Sequence, residues 1–186
     1  MKRNVGLPQR DQQYLVITAL GRDRAGIVNA ITRHAGECDC NIEDSRLAIF
    51  GEEFTFIMML SGSWNAIAML EATLPVLAAE LDLLTVMKRT QRGHQPAATT
   101  GVSAQVTVPD AAGLVERFTN LFMRLDYTLA ELVSKTRPED DTDAVLLEIQ
   151  ITAHHPTGEN NAVLQQQFYR LCAELQAEGT ITLMNH

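Results

Sequence analysis

The chain is organised around one stretch of sequence, Gly21-Arg22-Asp23-Arg24-Ala25-Gly26-Ile27-Val28. It follows residues 14–20, a run rich in β-branched and aromatic side chains that predicts a central strand. Beyond it, apolar residues recur at helical spacing as far as about Gly36, and Asp23 stands where a side chain can cap the first helical turn. The stretch is therefore predicted to be the turn between a strand and an amphipathic helix.

The rest of the first half predicts two strands, a helix and a closing strand. Strands are predicted over 41–50 and 54–60, joined by a short hairpin turn at 51–53. Apolar residues then recur at steps of three and four from Ile67 to Leu81, which predicts a helix that Pro75 breaks into two pieces. The last strand is predicted over 83–86, with 87–90 as its polar exit. The resulting order is β-α-β-β-α-β.

The second half predicts the same order after a linker at 91–101, which has almost no bulky apolar side chains. Strands are predicted over 102–108, 128–137, 144–153 and 181–184. A helical stripe begins at Leu114, and a second helix is predicted over 160–178, with Gly179 as its C-terminal cap. The stretch 137–143 reads as a longer acidic hairpin loop.

The two halves are related by a repeat of 87 positions, which pairs Asp23 with Asp110, Gly26 with Gly113 and Ile42 with Leu129. The predicted fold class is α+β, with two tandem ferredoxin-like βαββαβ domains that each place two helices on one face of a four-stranded antiparallel sheet. Their predicted bounds are 14–90 and 102–186, after a disordered lead-in at 1–13.

Composition and charge narrow the class of function. The formal net charge is −8, and affinity for nucleic acid depends mainly on Lys and Arg contacts to phosphate, so direct nucleic-acid binding is not expected. No run is long and apolar enough for a membrane span or a signal peptide, and three cysteines without framework spacing fit a reducing compartment, so we expect a cytoplasmic protein. No catalytic, P-loop or dinucleotide motif is found, so we expect no enzyme, no cofactor and no metal site.

Three segments carry a resemblance to a known family. The stretch 21–28, followed by Cys-Asn-Ile-Glu-Asp-Ser-Arg at 40–46 and Gly-Glu-Glu-Phe-Thr-Phe at 51–56, resembles the ACT domain, a small-molecule-sensing module of amino-acid metabolism. Together with residues 61–65 and 86–90, the tandem pair resembles more narrowly the family of glycine cleavage system transcriptional repressors. That resemblance implies a protein that binds the LysR-type transcriptional activator of the glycine cleavage operon, with glycine relieving the repression. The alternative is a regulatory subunit or ACT-type sensor of an enzyme of amino-acid metabolism.

The resemblance also implies a binding site for a small amino acid, with glycine favoured. Backbone N–H groups at a helix start suit a carboxylate, Asp23 could accept the ammonium, and Gly26 would allow a close approach. In ACT domains the ligand usually lies between this turn and the start of the second strand of a partner domain, which implies a homo-oligomer formed through sheets or helices. The predicted ligand-binding residues are Asp23, Arg24, Ala25, Gly26, Ile27, Asn41 and Ile42, and a weaker second site comprises Asp110, Gly113, Leu114 and Leu129.

Structural interpretations stand beside these functional ones. Asp23 serves equally well as a helix cap alone, and Ile42 is more typical of a core residue than of a selectivity filter. Cys38 and Cys40 are interpreted as buried hydrophobic residues, because a structural zinc site needs more ligands. His154 and His155 are interpreted as loop residues. The acidic residues at 43, 44, 52 and 53 are interpreted as part of a solvated hairpin.

Two departures from the family pattern bear on the site. Ala25 stands where ACT domains commonly have proline, and the second half has Ala111 and Thr128 where the first has Arg24 and Asn41. The second domain is therefore expected to serve pairing or partner recognition, with its acidic 139–141 loop available to a basic surface.

Overall fold

The computed structural model describes residues 12–92, 100–139 and 144–184. They belong to two compact units, residues 1–94 and residues 95–186. The predicted lead-in at 1–13, the linker at 91–101 and the acidic loop at 137–143 lie largely outside the described residues, so the domain bounds derived from them stay predictions. No helix in the described ranges has the length and apolar character needed to cross a membrane.

Each unit has the predicted order of elements. The first contains β1 (Gln13–Arg22), α1 (Ile27–Glu37), β2 (Asn41–Phe50), β3 (Glu53–Gly62), α2 (Trp64–Glu80) and β4 (Leu84–Thr90). The second contains β5 (Thr100–Pro109), α3 (Leu114–Arg124), β6 (Thr128–Pro138), β7 (Val145–His155), α4 (Asn161–Leu175) and β8 (Glu178–Met184). The antiparallel sheets run β2-β3-β1-β4 and β6-β7-β5-β8, which confirms the tandem ferredoxin-like prediction.

Alternation of side chains along the central strands places one core in each unit. In β1, every second residue is buried against the helices: Leu15, Ile17 and Ala19. The repeat extends to irregular backbone, because Asp39 and Asp126 both have left-handed φ angles, of 57° and 61°. A β-bulge also follows Ile42 in β2 and Leu129 in β6. The two halves therefore share backbone detail as well as topology.

The prediction that Pro75 breaks the second helix is wrong. α2 is continuous from Trp64 to Glu80, with Pro75 inside it. Leu74 and Ala78, on either side of the proline, are buried in the core, whereas the proline itself is exposed. Its ring and its missing hydrogen bond therefore face water, where the cost of the lost bond is smallest, and core packing holds the turns on both sides.

Two other predicted ends differ in the structure. β4 continues to Thr90, which pairs with Tyr14, whereas residues 87–90 were predicted to leave the sheet because several of them are polar. β4 is an edge strand, and an edge strand accepts polar side chains. α4 ends at Leu175, and Gln176, not Gly179, takes the left-handed cap conformation with φ 54°. Gly179 lies in β8 opposite Val106, where the absent Cβ leaves room for Cys172 and Phe168.

The close packing around Gly179 yields a stability prediction. A Cβ at this position would lie 2.5 Å from Cys172 Sγ and 3.0 Å from the Phe168 ring. We expect Gly179→Ala to lower the free energy of unfolding by about 1–3 kcal/mol, the usual cost of overpacking a core. Urea unfolding of the full chain measures it.

Gly36→Ala is the matched control, because Gly36 lies in α1 and an added Cβ meets no atom within 4 Å. We expect this change to raise the free energy of unfolding by about 0.5–1 kcal/mol. A Gly179→Ala protein as stable as the wild type would contradict the assignment of Gly179 to a crowded strand.

Candidate functional site

The turn at 21–28 has a backbone constraint at its centre. Gly26 is the N-cap of α1 and adopts φ 91° and ψ −9°, a left-handed conformation that side-chain-bearing residues adopt only at a cost. Its carbonyl accepts the first helical bond, from Ala30 N at 2.9 Å. No side chain caps this helix, so the prediction that Asp23 does so is wrong: the chain needs a glycine at the cap position, which leaves Asp23 three residues too early.

The absence of a side-chain cap makes α1 a candidate anion site. Its first turn contains no acidic residue, and its N–H groups donate to no side-chain cap. Ile27 N donates to the Arg24 carbonyl at 3.4 Å, so the next N–H groups, those of Val28 and Asn29, are the ones that a ligand would meet. Asp23 is exposed, and its carboxylate has no hydrogen bond or ion pair within the described first unit. Donors for a carboxylate and an acceptor for an ammonium therefore lie within one short turn.

The remaining residues of the turn hold it in place. Asp23 N donates to the Glu52 carbonyl at 3.1 Å, and Arg22 pairs with the Glu52 carboxylate at 2.9 Å. Arg24 Nη2 donates to the carbonyl of Leu81 at the end of α2. Arg24, predicted as a ligand contact, thus has a structural partner, and Ala25 is an exposed turn residue.

Gly26 and Gly21 serve different purposes. No atom lies within 4 Å of the position that a Cβ on Gly26 would occupy, so the left-handed backbone, not a neighbouring strand, requires glycine there. A Cβ on Gly21 would instead lie 2.6 Å from Leu83 Cδ2. Close approach within the protein belongs to Gly21, and the space at Gly26 is open. Ile27 is buried in the core beneath the turn.

Asn41 and Ile42 lie at the opposite end of the same sheet. Along β3, the turn is level with Glu53, which pairs with Arg22, whereas Asn41 pairs with Ser61. Eight residues of extended strand separate these levels, about 27 Å. One unit alone therefore does not bring the two parts of the predicted site together. Ile42 is 36% exposed, so its interpretation as a core residue is wrong.

A polar cluster surrounds Asn41. Glu43 accepts hydrogen bonds from the Ser61 hydroxyl and from Asn41 Nδ2, the latter at 3.1 Å, and Gln12 Nε2 donates to Ser61 Oγ at 3.0 Å. Ser61 is almost fully buried. The Ser61 hydroxyl first, and the Asn41 amide second, lower the pKa of the Glu43 carboxyl. Sequence reasoning missed the role of Glu43, because the bulge that aims it at Ser61 has no sequence signature.

The second unit repeats the turn with different side chains. Gly113 caps α3 with φ 84°, and Asp110 N donates to the Val145 carbonyl at 2.8 Å. Leu114 is buried, as Ile27 is. Glu116, however, lies in the first turn of α3 and would repel a carboxylate there. Leu129 is 37% exposed and lines a groove of 450 Å³ with Met123 and Tyr127.

The cysteines and the other possible metal ligands do not form a further site among the described residues. Cys38, Cys40 and Cys172 are buried free thiols, and burial raises the pKa of Cys40 to about 11. Among the described residues, no group of three or more His, Cys, Asp or Glu side chains could hold a metal.

His154 and His155 were expected to lie in a loop, but they are the last two residues of β7. His155 is buried there, and its Nδ1 accepts from Gly158 N at 2.9 Å and from Thr157 N at 3.2 Å. This histidine therefore holds the chain that leads into α4.

The Glu43 cluster yields a titration prediction. Because the two donors stabilise the carboxylate, Glu43 is expected to titrate below an ordinary glutamate, and Ser61→Ala should move its midpoint upward. A lowered folded-state pKa means that this contribution to stability is present above the ordinary glutamate pKa and is lost as the pH falls through the lowered value. Carbon-detected NMR titration of the side-chain carboxyl measures the midpoint, and an unchanged value in Ser61→Ala would contradict the cluster.

Comparison with known proteins agrees with this architecture. Residues 13–88 match the family model of the ACT domain. The chain is 57% identical over 175 residues to the glycine cleavage system transcriptional repressor of Escherichia coli (strain K12), a match that covers 94% of this chain and 92% of the relative.

Solved structures share the whole fold. The crystal structure of a glycine cleavage system transcriptional repressor has a TM-score of 0.71 at 38% identity, and the match covers 94% of this chain and 99% of that one. An unknown protein from Galdieria sulphuraria has a TM-score of 0.75 at 22% identity over 93% of this chain and 99% of its own, which shows the fold alone. The chain therefore belongs to the glycine cleavage system transcriptional repressor family and consists of two tandem ACT domains.

Proposed function

We propose that the chain is a cytoplasmic, ligand-responsive regulator that represses the glycine cleavage operon by binding its LysR-type transcriptional activator. Glycine, or another small amino acid, relieves this repression. The name of the E. coli relative as a transcriptional repressor supports the regulatory part of the proposal and a role without catalysis. The geometry of the first turn supports the sensing part.

The observation that carries the sensing role is the start of α1, which has no side-chain cap, beside the Asp23 carboxylate, which has no partner among the described residues of the first unit. A glycine carboxylate would accept hydrogen bonds from the N–H groups of Val28 and Asn29 in the first turn of α1, where the helix dipole is positive. Its ammonium would donate to Asp23. Open space at Gly26 leaves room for the ligand backbone. A free amino acid offers these two charges within a few ångströms of each other, as the turn requires.

The proposed site is completed by a partner ACT domain. Asn41 and Ile42 lie about 27 Å from the turn of their own unit, the length of eight strand residues, so the start of β2 would come from another domain. Asn41 would add amide hydrogen bonds, and Ile42 would limit the size of the side chain. The proposal thus requires association between ACT domains, in a homo-oligomer.

The charge of the chain argues for action through a protein rather than through DNA. The net charge of −8 disfavours phosphate contacts. Arg89, in the short basic stretch 88–92, forms a forked pair with Glu71, with N···O distances of 3.0 Å and 2.7 Å, and lies 5.6 Å from the Trp64 ring centroid. This arginine is therefore occupied within the unit.

The first prediction concerns glycine binding. Calorimetry on the full chain is expected to detect glycine binding. Asp23→Ala is expected to weaken the affinity for glycine about tenfold or more, because a hydrogen bond to a charged group contributes about 1.5–3 kcal/mol. The matched control is Asp110→Ala at the equivalent turn, which should leave this affinity unchanged because Glu116 disfavours a carboxylate there. Folded protein that binds no small amino acid would contradict the sensing role.

The second prediction concerns the activator. Glycine is expected to lower the affinity of the chain for the purified LysR-type activator, and the activator should lower the affinity for glycine by the same factor, because linkage is reciprocal. Biolayer interferometry with and without glycine measures the affinity for the activator, and calorimetry on the complex measures the affinity for glycine. Asp23→Ala should still bind the activator but lose its response to glycine. Activator binding that ignores glycine in the wild type would contradict the regulatory coupling.

A further inference from the structure

A groove runs between the two helices of the second unit. α3 and α4 pack side by side, and the groove between them has a volume of 550 Å³. Leu121, which is buried, and Leu171, which is half-buried against the core, form its apolar floor. The side chains along its walls are polar: Arg117, Asn120, Arg124, Gln167, Arg170 and Glu174. We call this feature the arginine groove.

Most of the positive charge of the second unit lies in this groove. Residues 95–186 contain these lysines and arginines: Arg117, Arg124, Lys135, Arg137 and Arg170. Three of these five residues line the arginine groove, together with Glu174. Acidic residues outnumber basic ones in the unit as a whole. The groove is therefore a local positive patch on an acidic domain.

Two of the three arginines have no partner within the part of the chain that the structure describes. Arg117 pairs with the Glu174 carboxylate at 2.6 Å, which closes one end of the groove. Arg124 and Arg170 are exposed, and neither forms an ion pair or a hydrogen bond with a described residue. A guanidinium presents its N–H donors in a planar fork that matches a carboxylate. The arginine groove therefore offers two available forks above an apolar floor.

The fold does not require arginine at these positions. The repeat of 87 positions aligns α3 with α1, and the left-handed residues that follow the other two helices, Gln176 and Asp82, align α4 with α2. In this alignment the three arginines of the second unit correspond to Ala30, Glu37 and Val76 of the first. Packing two helices on this sheet is therefore possible without a positive groove, and the arginines are particular to the second unit.

The two available arginines lie on opposite walls of the groove. The helices are antiparallel: Arg117 near the start of α3 contacts Glu174 near the end of α4, and the amide of Asn160, the N-cap of α4, donates to a carbonyl at the end of α3 at 3.2 Å. At 1.5 Å per helical residue, Arg170 lies about 6 Å along the groove from Arg117, and Arg124 lies about 10.5 Å along it. Arg124 and Arg170 are therefore separated along the groove by about one helical turn.

We propose that the arginine groove is the docking site for an acidic, amphipathic helical segment of a partner protein. Acidic side chains three or four residues apart on such a helix are also about one turn apart, so they reach Arg124 and Arg170 together. Apolar side chains between them rest on Leu121 and Leu171. The amides of Asn120 and Gln167 donate to the remaining carboxylate oxygens. This site lies in the second unit and does not depend on glycine binding at the first turn.

A peptide segment fits the groove better than a small anion does. A small-molecule site buries most of its ligand, whereas Arg117, Arg124, Arg170 and Glu174 are all exposed, so the walls are open along their length. Arginine is also enriched among the residues that dominate protein–protein contacts. The net charge of −8 repels an acidic segment from the rest of the surface, which restricts docking to this groove.

Fluorescence anisotropy of the full chain with a labelled synthetic peptide tests the docking site. The probe is a helical peptide with glutamates four residues apart and leucines between them. We expect saturable binding, and Arg124→Glu and Arg170→Glu should each weaken it at least about tenfold, because each variant removes a charge-assisted pair and places like charges together. The matched control is Arg33→Glu on the exposed side of α1, which makes the same change of charge in the first unit and should leave the affinity unchanged.

Three results would overturn the proposal. The first is a wild-type chain that does not bind the peptide. The second is an equal loss of affinity in Arg33→Glu, because binding would then follow the net charge of the chain and not the groove. The third is inorganic tripolyphosphate binding more tightly than the peptide and losing affinity in the same two variants, which would assign the groove to a small anion. The substituted side chains are exposed, so the variants should fold, and circular dichroism checks this.

Discussion

The structure depends on one backbone constraint, the left-handed glycine between the first strand and the first helix of each unit. Gly26 and Gly113 have φ angles of 91° and 84° and are the N-caps of α1 and α3. Because glycine has no side chain, it cannot cap the helix it begins. In α1, Ile27 N donates to the Arg24 carbonyl, and the N–H groups of Val28 and Asn29 are left for an external acceptor. The residue that permits the fold therefore also creates the candidate anion site.

The two units show how the same backbone can support different chemistry. In the first, Arg24 ties the turn to the end of α2, and no acidic residue enters the first turn of α1. In the second, Ala111 replaces this arginine, and Glu116 adds a negative charge at the helix start. Ligand sensing is proposed for the first unit on these grounds.

Periodicity and the repeat of 87 positions predict the order of elements and the core, because burial imposes a pattern on every strand and helix. Predictions were wrong where the outcome depends on the surroundings of one residue. Pro75 is tolerated because it faces water, Gly179 packs inside a strand, and Asp23 loses the cap position to Gly26. The bulge that brings Glu43 to Ser61 also lacks a local signature. The pairing of site residues between domains is inferred from family resemblance, and the separation of Asn41 from the turn is consistent with it.

Backbone amide chemical shifts during a glycine titration test the central claim most directly. The account predicts saturable shifts at Gly26, Ile27 and Val28, with Asn41 responding through the partner domain, and little change at Gly113 and Leu114. Shifts confined to the second unit, or no change at the start of α1 at saturating glycine, would contradict the claim that the first turn is the sensor.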